Sequence, residues 1–425
     1  MRRRHSGAAA SLAALVLLGP LSGCGSAGSG GDGPLTLVAA EYGDSPATSS
    51  KGYWDGITAA YEKAHPGKRV EVKLYPWADV DREVTRMVEE GEAPDMALMG
   101  AYSDFAADGL LYEAGDVLSV SAEANFLPPL VEAGSVDNKL YGLPFVASTR
   151  LLFYNEDLFD EAGLSAPKTW KDLEKAAEAL KEDGVRTPYA LPLGPEEAHA
   201  EAMIWELSNG GGYTDASGGY SLASDRNVET LEWIRDELVA PGLTGPVPPS
   251  KLNRQDAFAA FLRGEVGMVN GYPSLLREAR DKGIRVGTVA MPVSDALPAG
   301  EVPPTMGVAD WMMAFKENGN DEEIGAFLDF VYRDANLSTF ARRYHLLPST
   351  ITASRTPAGG GLDAGHEQFL TALHGAQLYP VNKPSWLQVS NVIKRSIGSA
   401  VEPGGSPRGV LEKIAEQARD AAERS

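Results

Sequence analysis

The sequence predicts an α/β protein of two bodies, each a mainly parallel sheet flanked by helices, with the chain crossing between them. Three observations carry this reading. Strand and helix patterns alternate from Leu35 to Met99 in the order β-α-β-α-β, which calls for a parallel sheet with helical crossovers. Residues 139–183 then run from one extended segment straight into a strand–helix–helix unit, which is how a chain leaves one α/β body and begins another. The 425 residues are enough for two or three domains with a sizeable core.

The chain opens with Arg2, Arg3 and Arg4, then an apolar run over 8–18 that is too short to span a bilayer as a helix. Leu21-Ser22-Gly23-Cys24 follows and resembles a bacterial lipobox, in which the signal is cut before a cysteine that is then acylated. Residues 1–23 are expected to be a signal peptide and Cys24 the lipidated first residue of the mature chain. Residues 25–33, GSAGSGGDG, form a flexible Gly/Ser tether.

The folded body begins at the buried-strand pattern 35–40, with 41–44 as the loop after it. Residues 53–65 read as an amphipathic helix with Trp54, Ile57 and Tyr61 on one face. Residues 70–74 alternate as a strand, 79–90 form a helix on Val80, Val84 and Val88, and 95–99 form a third strand. In such sheets ligands lie beyond the carboxyl ends of the strands, here 41–44, 75–77 and 100–104.

Pro144 disfavours a helix, and Leu143, Phe145 and Val146 give a buried-strand composition; Leu151-Leu152-Phe153-Tyr154 is a second buried strand. A short helix over 155–162 stops at Gly163, and Thr169 caps a helix with Leu173, Ala176, Ala177 and Leu180 in step. Further helices are expected over 196–207, 225–238, 254–263 and 321–333, and strands over 264–271 and 286–291. The apolar run 305–315 reads as a second crossing, 335–347 as a third, and 356–365 as a Gly-rich surface loop. The last helices fall over 369–374, 386–399 and 407–424.

A net charge of −21 leaves no basic stripe to neutralise phosphates, which argues against nucleic acid. With Cys24 as the single cysteine, no intramolecular disulfide can form. His5, His65, His199, His345, His366 and His374 show no ligand spacing, so no metal site is expected, and His199, His345 and His374 read as surface or packing residues. There is no nucleophile elbow and no Walker loop; Gly210-Gly211-Gly212 follows a helix and reads as its C-cap and turn. No catalytic residue and no cofactor is expected. What remains is binding of a small polar molecule in a cleft with aromatic walls and a few convergent polar groups.

Four ordered motifs carry a family resemblance: Tyr141-Gly142-Leu143-Pro144, Tyr154-Asn155, the turn 157–164 and the helix start Thr169-Trp170 through Leu173. Phe105 to Leu111 (F-x-x-x-G-L-L), Trp205 to Tyr213, the strand 264–271 and Leu346-Leu347-Pro348 extend it over essentially the whole mature chain. In this order they resemble the extracellular solute-binding lipoproteins of bacterial ABC importers, in the sugar-binding, maltose-binding-protein-like branch. The resemblance implies a two-lobed periplasmic-binding-protein-like fold of type II with hinge crossings. The first lobe would take 34–146 plus 308–334, and the second 147–306 plus 336–425, after the lipidated cysteine and linker of 24–33.

It further implies capture of a mono- or oligosaccharide between the lobes, delivery to the permease subunits of an importer, anchoring on the extracellular face through a lipid, and a monomer. The family's ligand contacts would fall on Glu41, Tyr42, Trp77, Tyr102, Ser103, Asp104, Ser148, Trp205, Tyr272, Asp310, Trp311 and Trp386. Trp54, Trp170 and Trp233 read as core. Ser148 replaces the carboxylate that some members place at the first crossing, so a maltodextrin is not specified. A non-sugar polar solute, or a sensor of the same fold, stays open as an alternative. A carbohydrate hydrolase with paired acids has no signature here.

Overall fold

The computed structural model describes residues 33–43, 45–77, 79–298, 300–355 and 364–424. The expected signal peptide, Cys24 and most of its linker, and most of the expected surface loop 356–365, lie outside the described residues.

Among the described residues thirteen strands occur in chain order: β1 Leu35–Ala40, β2 Val70–Tyr75, β3 Met96–Met99, β4 Ser135–Val136, β5 Lys139–Leu140, β6 Leu143–Thr149, β7 Leu151–Asn155, β8 Thr187–Ala190, β9 Val266–Gly271, β10 Val286–Val289, β11 Met306–Ala314, β12 Leu347–Pro348 and β13 Gln377–Leu378. The first sheet has the order β12-β6-β11-β3-β1-β2, with β13 beside β11; the second has the order β10-β7-β9-β8; β4 and β5 form a hairpin. Asp137 and Asn138 turn that hairpin with φ of 50° and 62°, a left-handed pair that these two residue types accept.

The parallel pairing read from the sequence holds for β2-β1-β3 and for β8-β9. The crossing strands β6, β7 and β11 pair antiparallel with their strand neighbours, β13 apart. They enter each sheet from the other lobe rather than through a helical crossover, so the parallel rule does not bind them.

The first crossing is abrupt. β6 belongs to the first sheet through Thr149, and β7 opens the second at Leu151. The switch therefore falls at Arg150, later than the expected division at 146/147. A single linking residue suffices because the second crossing grips it: Arg150 N–H donates to the Met306 carbonyl at 3.2 Å, and Thr305 Oγ1 donates to the Arg150 carbonyl at 2.8 Å.

Local chemistry sets the helices. Thr169 caps Trp170–Glu182 in a capping box with Asp172, worth about 1 kcal/mol. Asn155 caps Glu156–Glu161 through Oδ1. Trp54 (1% exposed) stacks on Phe145 in the first core. Trp170, Trp205 and Trp233 pack together in the second, with ring centroids 4.7–5.7 Å apart.

A further expectation of the lobe division is corrected. Residues 336–348 were assigned to the second lobe and its return crossing. Instead the helix Asp334–Arg343 buries Leu337, Phe340 and Ala341 in the first core, and β12 pairs with β6 in the first sheet. The helix is amphipathic, and sequence period alone does not say which core its apolar face meets.

Candidate ligand-binding site

The seam between the lobes is built around Arg150, whose side chain is buried. Its Nη1 donates to Ser148 Oγ at 3.0 Å and its Nη2 to Glu197 Oε1 at 3.0 Å. Its guanidinium carbon lies 4.8 Å from the ring centroid of Tyr272. Arg254, the buried first residue of the helix Arg254–Phe261, pairs with the other oxygen of Glu197. One carboxylate thus holds two guanidiniums. Burial draws both below the ordinary arginine value, and Arg254, also repelled by Arg150, comes down to about 10. Arg150 Nε and Arg254 Nε and Nη2 are buried without a hydrogen-bond partner among the described residues.

Aromatic groups close around this pair. Tyr379 is buried, its hydroxyl has no hydrogen-bond partner among the described residues, and its ring stacks on His199 at 4.8 Å and packs on Trp386 at 5.4 Å. His199 Nδ1 also lacks a partner among the described residues. Burial, then the nearby Lys394 and Arg150, hold its imidazole well below the ordinary value, so it is neutral.

The first lobe presents acids. The Tyr42 hydroxyl donates to Asp310 Oδ2 at 2.8 Å. Burial pushes the Asp310 carboxyl up to about 7, against the Tyr42 hydrogen bond and the charge of Arg150. Burial likewise pushes Asp81, in the first turn of the helix Val80–Glu89, up to about 6, against the attraction of Lys394 from the second lobe.

Beside this cluster lies a groove of about 1170 Å³, larger than the roughly 300–1,000 Å³ of ordinary small-molecule sites. Val136, Asp137 and Tyr141 line it from the first lobe, and Asp215 and Lys383 from the second. Tyr379 belongs both to the groove wall and to the arginine cluster. Two bonds bridge the lobes at its edge: Ser103 Oγ donates to the Lys383 carbonyl at 2.8 Å, and Ser385 N–H donates to Asp104 Oδ1 at 3.0 Å.

Of the expected contact residues, Tyr42, Ser148, Tyr272, Asp310 and Trp386 come together at the seam. Trp77 is 39% exposed and sets its edge against Tyr42 at 5.2 Å.

The others have different work. Glu41 is spent on its own loop, where it accepts from Gly43 N, Ser49 Oγ and both Ser50 N and Oγ; burial alone would raise its carboxyl, but these bonds hold it below the ordinary value. Tyr102 is core, with its hydroxyl donated to the Ala133 carbonyl at 2.6 Å. Trp311 is fully buried against Tyr102, on the opposite face of β11 from its neighbour Asp310. Trp205 is fully buried and donates to Tyr189 Oη and Glu201 Oε1 at 3.1 and 3.2 Å. Ser103 and Asp104 bond to the opposite lobe.

The sequence patterns do not single out Arg150, Arg254, Glu197, Tyr379 or Asp81, and they give His199 as a surface or packing residue. One signal was available: Arg150 interrupts an apolar stretch, and a charge in a buried segment must be paired or used. Among the described residues no cluster of His, Cys, Asp and Glu could hold a metal, and no helix is long and apolar enough to cross a membrane.

Two sheets joined by paired crossings, with polar groups converging at their seam, are the anatomy of a protein that encloses a small molecule. The chain belongs to the bacterial extracellular solute-binding protein family, whose profile matches residues 45–337. A binding-protein relative from Brucella abortus is 25% identical over 95% of this chain and 96% of its own length. The maltodextrin-binding protein of Bacillus subtilis is 28% identical over 72% of each chain. The fold matches the GacH receptor of Streptomyces glaucescens, solved unliganded and with acarbose, with a TM-score of 0.75 at 18% identity over 92% of this chain and 99% of that one.

Proposed function

We propose that this protein captures a carbohydrate between its lobes and delivers it to the permease of an ABC importer. The observation that carries the reading is the set of buried polar atoms at the seam that lack partners among the described residues: Arg150 Nε, Arg254 Nε and Nη2, His199 Nδ1 and the Tyr379 hydroxyl. Each such atom costs about 1–3 kcal/mol when left unpaired. A polyhydroxylated ligand, whose hydroxyls both donate and accept, answers several of them at once. Tyr272, Tyr379 and Trp386 add ring faces for its C–H surface. The relatives' ligands, maltodextrin and acarbose, support the same class.

Capture needs no covalent chemistry. The lobes part at Arg150, breaking the Ser103–Lys383 and Asp104–Ser385 bonds, and close again over the ligand. The closed pair of lobe surfaces is what the permease reads, and the ligand raises its population by binding it better. Acylation of Cys24 after signal removal tethers the body to the outer face of the membrane through the linker 25–33.

The test is thermal unfolding of the purified protein against mono-, di- and oligosaccharides, polyols and amino acids. A ligand at about a hundred times its Kd adds about 2.7 kcal/mol of apparent stability. A rise in Tm confined to one carbohydrate class is the expected result; a rise with amino acids alone contradicts it. An intact mass of the N-terminal peptide from membranes tests the acyl group on Cys24.

A further inference from the structure

We infer that the ligand carries an acidic group, a carboxylate or other oxyanion on the sugar, that docks between Arg150 and Arg254. This rests on the carbohydrate reading above and narrows it.

The inference follows from a charge imbalance. Arg150 and Arg254 keep side-chain exposures of only 4% and 2%, yet they share the one carboxylate of Glu197. Glu197 Oε1 accepts from Arg150 Nη2 and Oε2 from Arg254 Nη1, and neither oxygen bonds to the donors that remain. Those donors, Nε of Arg150 and Nε and Nη2 of Arg254, have no acceptor among the described residues. On Arg254 they form one edge of the guanidinium, the fork that takes a planar carboxylate or phosphate bidentately.

Glu196, which is exposed, attracts Arg254 but accepts from Gln255 N–H and makes no hydrogen bond to the guanidinium among the described residues; the other acids nearby do not reach the remaining donors either. Asp310 is engaged by Tyr42, and Glu201 Oε1 accepts from Tyr189, Asn270 and Trp205. Burial pushes both carboxyls up to about 7, so neither carries a full charge at neutral pH. Asp81 faces Lys394, a further cation at the seam. A buried guanidinium stays protonated and demands an anionic partner. Tyr379, a wall of the groove, feels the charge of both arginines, which sets them near the groove.

The experiment titrates the purified protein with uronic and aldonic acids, with sugar phosphates and with the neutral parent sugars, at low and high salt. The expected result is binding of one acid about tenfold or more tighter than its neutral parent, a difference that shrinks as salt rises. Which arm wins, carboxylate or phosphate, identifies the oxyanion. In Arg254→Gln the preference for the acid falls towards one; Arg254→Lys, which keeps the charge, retains part of it. Circular dichroism and unliganded Tm confirm that the variants are folded. Should Arg254→Gln not fold, Arg254→Lys and the salt dependence of the unaltered protein carry the test. A neutral sugar that binds as tightly as its acid overturns this inference and leaves carbohydrate binding standing. If sugars of neither kind bind, the carbohydrate reading falls and this inference falls with it.

Discussion

The hydroxyl of Tyr42 donates a 2.8 Å hydrogen bond to Oδ2 of Asp310, tying the loop after the first strand to the strand of the second crossing. Asp310 is held at about 7, above its ordinary 3.8, because burial outweighs that bond. The native state therefore binds this proton more tightly than the unfolded chain. Its contribution to stability is full below about pH 4 and is lost as pH rises through 7. We expect Asp310→Asn, which keeps an acceptor for Tyr42 but cannot ionise, to lose less stability between about pH 5 and pH 8 than the unaltered protein, by on the order of 1–2 kcal/mol. Urea unfolding at the two pH values measures it, and parallel pH dependences for the two proteins speak against the assignment.

Trp205 was expected to touch ligand, and the structure makes it a core residue instead. Trp205→Phe removes the donor to Tyr189 and Glu201 and leaves space in a dense aromatic cluster. Stability should fall by roughly 2–4 kcal/mol, while the folded variant binds ligand as the unaltered protein does. Calorimetry on the folded variant separates the two roles.

Ser385 holds φ at 77° at the start of the helix Trp386–Ser396. A left-handed conformation costs a non-glycine residue about 1–2 kcal/mol, part of which glycine's greater freedom in the unfolded chain gives back. Ser385→Gly should therefore stabilise the protein by about 0.5–1 kcal/mol. A lower denaturation midpoint would show that the backbone there is not strained.

Asp104 accepts from Ser385 N–H across the seam rather than standing free for ligand. Asp104→Ala should shift the protein towards the open form and weaken ligand binding by about five- to tenfold, near 1 kcal/mol. Small-angle scattering reads the first effect as a larger radius of gyration without ligand. Unchanged scattering together with a hundredfold loss of affinity would return Asp104 to the ligand contacts.

The sequence made the fold legible where local signals and global need coincide. The β-α-β-α-β opening, the Thr169 cap and the double-strand crossing all appear where periodicity and capping chemistry placed them. The helix Asp334–Arg343 went to the other lobe because an amphipathic pattern does not name its partner. The site was legible only in part. Tyr42 and Tyr272 sit just past strand ends, where topology points, and Asp310 lies within the second crossing strand. Tyr102, Trp205 and Trp311 carry the same residue types but turn inward, which side-chain direction decides and composition does not. Arg150, Glu197 and Arg254 meet only through tertiary folding, at separations no motif records.

The central claim is that ligand is held at the seam around Arg150. Its most direct test is calorimetric titration with whichever carbohydrate raises Tm most, comparing the unaltered protein with Arg150→Gln. Loss of a buried charged donor should weaken binding about thirtyfold or more, roughly 2 kcal/mol, in a variant that still unfolds cooperatively. Equal affinity in the two proteins would move the ligand away from this seam and contradict the account.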